Sequence, residues 1–168
     1  SDNGSTAVEV ALKMAYQAQI QKGEKNRTRF LALHGSYHGD TLGAMSASDR
    51  DGFHKIFTPL MAPVDFITPD DFGELETLSS RLDGYAACIV EPLVQGAGGM
   101  RMYSSAYLQK LAALCKEHGV YLVADEVFTG FYRTGRFLAS EHAGVQPDLI
   151  CLSKGITGGF LPLSATLA

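Results

Sequence analysis

The sequence predicts an α/β fold in which a mainly parallel sheet carries helices on both faces. Short apolar runs rich in β-branched residues alternate with segments of helical period, and the strand candidates are apolar almost throughout. No internal repeat, low-complexity tract or linker interrupts the pattern. The 168 residues are therefore expected to form one domain.

Six strands are predicted, at residues 30–33, 64–68, 86–90, 120–124, 149–152 and 163–167. Helices are predicted at residues 6–21, 72–82 and 104–117. In the last helix, apolar side chains recur at steps of three and four residues, and Gly119 supplies the stop. Alternation of this kind indicates parallel strands joined by crossover helices.

The composition indicates a folded globular protein, with 46% hydrophobic and 19% charged residues. A net charge of −4 gives no reason to expect nucleic acid or an anionic membrane as a partner, and no apolar run approaches the ~20 residues of a membrane span. Cys88, Cys115 and Cys151 show no framework spacing, which predicts reduced, packed thiols in a cytoplasmic protein. The histidines show no metal-ligand spacing, so no metal is predicted.

Both ends of the sequence suggest a piece of a longer protein. The chain starts without methionine on a helix start, and it stops inside the apolar run at residues 163–168. Domain termini usually have polar, poorly ordered residues. We therefore expect further chain on both sides.

Polar residues follow four of the predicted strands. They are residues 34–39, Glu91, residues 125–126 and residues 153–154. In parallel sheets, ligands bind outside the carboxyl ends of the strands. These four strand ends are therefore expected to form one site.

The segment Asn3-Gly4-Ser5-Thr6 stands directly before the first predicted helix. Free backbone amides at a helix start, two hydroxyls and the helix dipole make a phosphate cradle. The alternative is that Ser5 is only an N-cap, with Glu9 supporting the first turn. The sequence leaves both open.

Asp125 ends a buried apolar strand, so its carboxylate needs a partner. It either forms an ion pair, with Arg133 or Arg136, or faces a cationic group of a ligand. Lys154 ends another strand beside a glycine-rich turn, where it is either a solvated loop lysine or a nucleophilic amine.

The glycine-rich residues 96–99 lack the spacing of a dinucleotide-binding loop and are expected to be a flexible loop, which disfavours a nicotinamide enzyme. The cradle, the aromatic Tyr37, the acid Asp125 and the amine of Lys154 suit pyridoxal phosphate instead. That cofactor has a phosphate, an aromatic ring, a pyridine nitrogen and an aldehyde.

With these residues in place, the sequence resembles the class III aminotransferases, which are fold-type-I pyridoxal-phosphate enzymes. The likeness runs over the whole chain and keeps the order of the motifs. The motifs are Gly4-Ser5-Thr6-Ala7-Val8-Glu9, Tyr37-His38-Gly39, Glu91-Pro92, Ala124-Asp125-Glu126-Val127, Thr129-Gly130, Arg133-Thr134-Gly135, Pro147-Asp148 and Ser153-Lys154-Gly155.

The resemblance implies that the chain is the cofactor-binding large domain, truncated, with an N-terminal segment and a C-terminal small domain absent. It implies that Lys154 carries the cofactor and moves a proton, that Asp125 pairs with the pyridine nitrogen, and that Tyr37 stacks on the ring. It also implies a site at the interface of a homodimer. The remaining implied cofactor-binding residues are Gly4, Ser5 and Thr6 on the phosphate, Glu91 as a supporting carboxylate, and His38, Gly39 and Val127.

Within the class, residues 37–46, 94–103 and 157–167 resemble the branch that acts in biotin synthesis. This implies S-adenosylmethionine as amino donor and 8-amino-7-oxononanoate as keto acceptor. Two alternatives stay open: a class III enzyme for an ω-amino acid or diamine, and a catalytically silent fragment. The chain departs from the class at Phe128, where many members have glutamine, and at Tyr132, where glycine is usual.

Overall fold

A computed structural model describes residues 1–49 and 54–168. Its centre is a six-stranded sheet. The strands of this sheet are β1 (Arg29–Leu33), β2 (Val64–Ile67), β3 (Tyr85–Val90), β6 (Tyr121–Asp125), β7 (Leu149–Leu152) and β8 (Ala165–Leu167). They lie in the order β2-β1-β3-β6-β7-β8. The pairs are parallel except that β8 runs antiparallel to β7. The six predicted strands and the mainly parallel sheet are confirmed.

Within residues 1–49 and 54–168, four α-helices accompany the sheet: α1 (Gly4–Gln21), α2 (Leu42–Ala47), α3 (Phe72–Leu78) and α4 (Ser105–Glu117). The predicted helix at residues 72–82 is right only in its first part, because a 3-10 helix (Ser79–Gly84) replaces its end. The prediction missed α2 and three further 3-10 helices, Lys55–Leu60, Ala139–Ala143 and Lys154–Ile156. These segments are too short to show a helical period.

The core lies in two layers, one on each face of the sheet. On one face, α1 packs small side chains such as Ala7 and Ala11 against Ala32 and Ala87 of the central strands. On the other face, α3 and α4 cover the sheet with larger side chains, including Leu111 of α4. Helices on both faces, as predicted, follow from strands that are apolar on both sides.

A small hairpin lies outside the main sheet, formed by β4 (Val94–Gln95) and β5 (Arg101–Met102). The glycine-rich residues between these strands form its turn, rather than the flexible loop expected from the sequence. A Cβ atom on Gly98 would collide with the carbonyl oxygen of Gly35. Glycine at this position therefore lets the hairpin approach the loop after β1.

The cysteines Cys88, Cys115 and Cys151 are free and buried, as expected for packed thiols. Among the residues that the structure describes, no helix is both long enough and apolar enough to span a bilayer.

Candidate functional site

The carboxyl ends of β1, β3, β6 and β7 meet at one edge of the sheet, because these strands are parallel and consecutive in the strand order. Ala124 pairs with Val90, so Glu91 and Asp125 follow neighbouring strands at the same level. Asp125 in turn pairs with Cys151, three residues before Lys154. The predicted convergence of the polar strand ends is confirmed.

Asp125 is held by a histidine. The Nδ1 atom of His38 lies 2.7 Å from Oδ2 of Asp125, and both side chains are buried. The backbone amide of Val127 donates to the other carboxylate oxygen at 3.1 Å. Because a carboxylate only accepts, the Nδ1 atom must carry the proton in this contact.

The ion pair with an arginine, one of the two sequence alternatives for Asp125, is wrong. Arg133 donates through Nε to the carbonyl oxygen of Phe128 at 2.6 Å, and its guanidinium lies 4.8 Å from the centre of the Phe128 ring. Across residues 1–49 and 54–168, Asp125 forms a salt bridge with His38 and with no arginine, Arg136 included.

The second ring nitrogen of His38 differs from Nδ1 in its contacts. Within the described residues, His38 Nε2 is buried and has no hydrogen-bond partner. The backbone amide of His38 donates to the hydroxyl of Ser48 at 2.8 Å, which fixes the loop that carries the ring. These contacts fix the Asp125–His38 pair, and the Nε2 atom of His38 can still form a hydrogen bond.

Glu91 fastens two loops to the end of β3. One carboxylate oxygen accepts the amide of Tyr37 and the other accepts the amide of Gly96, each at 2.8 Å. Burial raises the pKa of Glu91, the Asp125 carboxylate raises it further, and His38 and the two amides oppose the rise. This buried carboxylate therefore holds the loop that carries Tyr37 and the β4–β5 hairpin together.

Tyr37 presents its ring at the edge of the site. Its hydroxyl donates to Asp40 at 2.9 Å, and its ring stacks on His54 with 5.7 Å between centroids. Burial, followed by the hydrogen bond to Asp40, raises the pKa of Tyr37 to about 12. Asp40 also contacts His54, at 3.0 Å, and that hydrogen bond is the largest cause of its lowered pKa.

The N-cap of α1 is Asn3, not Ser5 as one alternative proposed. The side chain of Asn3 accepts the amide of Thr6 at 3.0 Å, and the hydroxyl of Thr6 accepts the amide of Asn3 at 3.1 Å. In the described structure, the amides of Gly4 and Ser5 are left without an acceptor, and they are the donors available to an anion.

Glu9 does not support the first turn of α1. Its carboxylate instead accepts the hydroxyl of Thr41 at 2.7 Å and the amides of Gly43 and Ala44 at 3.2 and 3.1 Å. Glu9 therefore caps the start of α2 from a neighbouring helix, and it ties α2 to the helix that carries the cradle.

Two glycines let the elements of the site approach closely. A Cβ atom on Gly4 would lie 2.9 Å from a methyl group of Val127, so the start of α1 rests on the residue that binds Asp125. Gly39, with φ of +123°, lies against Ser5, and a Cβ atom there would overlap the Ser5 hydroxyl. The amide of Asp40 donates to that hydroxyl at 3.1 Å.

Lys154 begins the 3-10 helix after β7 and is exposed. Its φ of +43° lies in the left-handed region, which is unusual for a residue with a side chain. The amides of Thr157 and Gly159 donate to its carbonyl oxygen at 3.4 and 3.1 Å, which fixes its backbone. Among the described residues, its amine has no hydrogen-bond or salt-bridge partner.

Sequence reasoning missed the role of Glu126, whose buried carboxylate organises the loop after β6. It accepts the hydroxyl of Thr129 and the amides of Ala139 and Ser140, the latter two at 3.0 and 2.9 Å. The only sequence signal was an acid directly after Asp125, which does not reveal its partners. Glu126 thus fixes both ends of the loop at residues 129–139.

That loop also has an unusual backbone conformation at position 132. Phe131 and Tyr132 both have a positive φ, of +59° and +64°. Glycine adopts this conformation without steric cost, so the glycine usual in the class suits the same backbone. Tyr132 keeps the conformation with its ring 5.7 Å from Phe137, in an edge arrangement.

These groups fit pyridoxal phosphate. The unpaired amides at the start of α1 suit its phosphate, the buried Asp125 suits a protonated pyridine nitrogen, and the exposed amine of Lys154 suits its aldehyde. Tyr37 supplies an aromatic face beside them.

The comparisons with known proteins agree with this interpretation. The family model of aminotransferase class-III matches residues 1–168. An adenosylmethionine-8-amino-7-oxononanoate aminotransferase from Synechococcus elongatus is 52% identical, over 100% of this chain and 43% of its own length.

Solved structures give the same result. The adenosylmethionine-8-amino-7-oxononanoate aminotransferase of Methanocaldococcus jannaschii superposes with a TM-score of 0.92 at 39% identity, over 100% of this chain and 40% of that one. An amine transaminase from an uncultivated Pseudomonas species, solved in its PLP-bound form, also gives 0.92, at 40% identity over 99% of this chain and 42% of that one. The chain thus spans about two fifths of the length of these proteins.

Proposed function

The chain belongs to the class-III aminotransferases, and from that premise we propose that the whole protein transfers amino groups with pyridoxal phosphate as its cofactor. The observation that carries the proposal is the arrangement at one sheet edge of the buried Asp125–His38 pair, the free amides at the start of α1, and Lys154. When bound, pyridoxal phosphate supplies an aldehyde that bonds to amines and a ring that withdraws electrons from the carbon next to that nitrogen.

Lys154 is the residue proposed to hold the cofactor covalently. Its fixed backbone and exposed amine support this role, because the amine can reach a ligand without breaking another contact. The same amine would accept the proton from the donor carbon that bears nitrogen, and it would later return a proton to the acceptor carbon.

Asp125 is proposed to bind the protonated pyridine nitrogen through a charge-assisted hydrogen bond worth ~1.5–3 kcal/mol. His38 donates to Asp125 and so orients the carboxylate for that contact. Val127 contributes by its amide, which fixes the second oxygen, and Glu91 by anchoring the loops on either side.

The phosphate is proposed to lie at the start of α1. Gly4 and Ser5 offer free amides there, and Gly39 holds the Ser5 side chain in place. Thr6 contributes through the capping box, since its hydroxyl is already bonded to Asn3. Tyr37 is proposed to stack on the cofactor ring, with Asp40 and His54 holding the phenol in position.

We propose S-adenosylmethionine as the amino donor and 8-amino-7-oxononanoate as the keto acceptor, in biotin synthesis. The relative at 52% identity, whose name states this reaction, supports the proposal. The second candidate is an amine or ω-amino acid transaminase, which the amine transaminase structure favours, because it is as similar to this chain as the solved Methanocaldococcus jannaschii structure is. A single-turnover assay distinguishes them. The amino donor whose addition removes the visible absorbance band of the bound cofactor within seconds belongs to the natural class of donor.

We propose that the whole protein is a homodimer in the cytoplasm. Large apolar side chains exposed near the site support self-association: Ile56, Leu60, Phe160 and Leu161 are 80%, 66%, 88% and 62% exposed. The three free buried thiols support a reducing compartment. Sedimentation of the cofactor-loaded protein tests the dimer, and a monomer at micromolar concentration would refute it.

The cofactor proposal is tested by visible absorbance of the whole protein with pyridoxal phosphate, beside Lys154→Ala and a control, Lys25→Ala, in an exposed turn. Borohydride reduction and peptide mapping should place the cofactor mass on Lys154. A bound, shifted visible band in wild type and Lys25→Ala, and its loss in Lys154→Ala, supports the proposal. Spectra of all three proteins that match free pyridoxal phosphate would instead identify a catalytically silent relative.

A further inference from the structure

In the loop after β6, the aromatic ring of Phe131 packs against Gly155, the residue that follows Lys154. A Cβ atom built on Gly155 would lie 2.6–2.8 Å from Cδ2, Cβ and Cγ of Phe131. The Phe131 side chain therefore rests directly on the backbone of Gly155, one residue from the amine proposed to hold the cofactor.

Phe131 is itself held rigidly. Its amide donates to the carbonyl oxygen of Phe137 at 2.8 Å, and the two rings form an edge contact with 5.4 Å between centroids. Before it, Gly130 donates its amide to the carbonyl oxygen of Glu126 at 2.8 Å. These contacts fix the position of the Phe131 ring.

Lys154 needs such support because its backbone conformation is unfavourable. A residue with a side chain at φ of +43° returns to other conformations unless its surroundings oppose the change. The amides of Thr157 and Gly159 hold the following turn by donating to the Lys154 carbonyl oxygen, and the Phe131 side chain packs against Gly155.

We propose that Phe131 is a positioning residue, which sets the direction of the Lys154 amine by packing against Gly155. This inference rests on the proposed role of Lys154 as the residue that holds the cofactor. Phe131 acts through the backbone of Gly155 and has no part in the chemistry itself.

The test uses a double-mutant cycle in the whole protein. Gly155 does not have a positive φ, so Gly155→Ala is allowed by the backbone, and its methyl group would meet the Phe131 ring. Phe131→Ala removes two of the three atoms that this methyl group would meet, Cδ2 and Cγ, and leaves only Cβ, at 2.8 Å. We expect each single variant to slow the amino-donor half-reaction by at least about tenfold, since small misplacements of reacting groups cost up to about 100-fold.

The double variant should be no slower than the worse single variant, because the methyl group no longer meets the ring and only Cβ of residue 131 must shift. Phe131→Tyr, which keeps the ring on Gly155, should restore most of the rate. The affinity for pyridoxal phosphate should change less than the half-reaction rate in Phe131→Ala, a split that simple loss of folding would not produce. Phe72→Ala, on α3 against Tyr107, is the control for loss of an aromatic contact elsewhere.

Independent effects, in which the double variant is slower than either single variant by the product of both losses, would overturn the inference. So would a Phe131→Ala protein with the wild-type half-reaction rate. Each of these outcomes leaves the proposed function intact provided that the visible band still depends on Lys154. Loss of that dependence in the wild-type background would refute the proposed function instead.

Discussion

His38 donates through Nδ1 to Asp125 across 2.7 Å, although the two residues are 87 positions apart in the sequence. The contact joins the loop after β1 to the end of β6, two strands away in the sheet. A buried carboxylate is stable only when its oxygens are bonded, so this contact accounts for an acid at the end of a fully apolar strand.

Removal of this donor should destabilise the protein. His38→Ala leaves Oδ2 of Asp125 buried without its partner, which costs about 1–3 kcal/mol in the free energy of unfolding. It should also weaken binding of pyridoxal phosphate, because the carboxylate is no longer oriented. Denaturant unfolding and cofactor titration measure both effects. His118→Ala serves as control, and equal stability of the two variants would contradict the prediction.

Gly39→Ala should impair the phosphate cradle. Alanine at φ of +123° is strained, and its methyl group would displace the Ser5 side chain. Gly23→Ala is a matched control, because Gly23 also has a positive φ, +90°, but an added Cβ meets nothing within 4 Å. In both variants, backbone strain should lower the free energy of unfolding by about 1–2 kcal/mol. Only Gly39→Ala should lose more than that and bind pyridoxal phosphate more weakly in a fluorescence titration.

Glu126→Gln should loosen the loop that carries Phe131. One carboxylate oxygen becomes an amide nitrogen, which cannot accept from the donors that face it, and a buried unsatisfied group costs about 1–3 kcal/mol. Thermal unfolding and limited proteolysis within residues 129–139 measure the loss. Glu117→Gln at the end of α4 is the exposed control. Unchanged proteolysis of the loop in Glu126→Gln would show that other contacts hold it.

The raised pKa of Glu91 predicts a pH dependence of stability. The folded state binds the Glu91 proton more tightly than the unfolded state does. The contribution of Glu91 to the free energy of unfolding is therefore fully present below its pKa in the unfolded state, about 4.3, and declines as the pH rises through its pKa in the folded state. Glu91→Gln lacks this titration. The stability of wild type relative to Glu91→Gln should therefore fall as the pH rises above about 4.3. Unfolding measured over a pH series checks the slope, and a rising difference would be the opposite result.

Tyr132→Gly should be tolerated. Glycine relieves the cost of the left-handed conformation, roughly 1–2 kcal/mol, and loses a smaller amount through the entropy of the unfolded chain. We expect a change in stability of less than about 1 kcal/mol. Tyr132→Val, which is branched at Cβ, should be clearly less stable than Tyr132→Gly. Equal stability of the valine and glycine variants in calorimetry would show that the backbone at this position is not strained.

The sheet and the strand ends were predictable because their signals are local. An apolar run such as residues 120–124, followed by Asp125, carries both the strand and the polar group at its end. The antiparallel strand β8 has the same kind of apolar sequence pattern as its parallel neighbours. Its direction could therefore not be predicted from the sequence.

Features that rest on contacts between distant residues were not predictable. The short α2 forms where Glu9 of α1 accepts donors from its first turn, a contact across 32 residues that leaves no local pattern. The partner of Asp125 was missed for the same reason: nearby arginines looked suitable, whereas the donor is on another strand's loop. The Phe131–Gly155 contact likewise depends on how the loop is folded over β7.

The start of the described chain pairs with its far end: Ser1 donates to the carbonyl oxygen of Ser164 at 3.0 Å, and Ser164 donates back at 2.8 Å. Thr166 also bonds to the carbonyl oxygen of Ala7 on α1. The segment that leads into the helix start with the free amides thus contacts the segment before β8 across 163 residues of sequence. Contacts of such long sequence separation form slowly. The site therefore completes late in folding, and capture of the cofactor should follow the docking of β8 on α1.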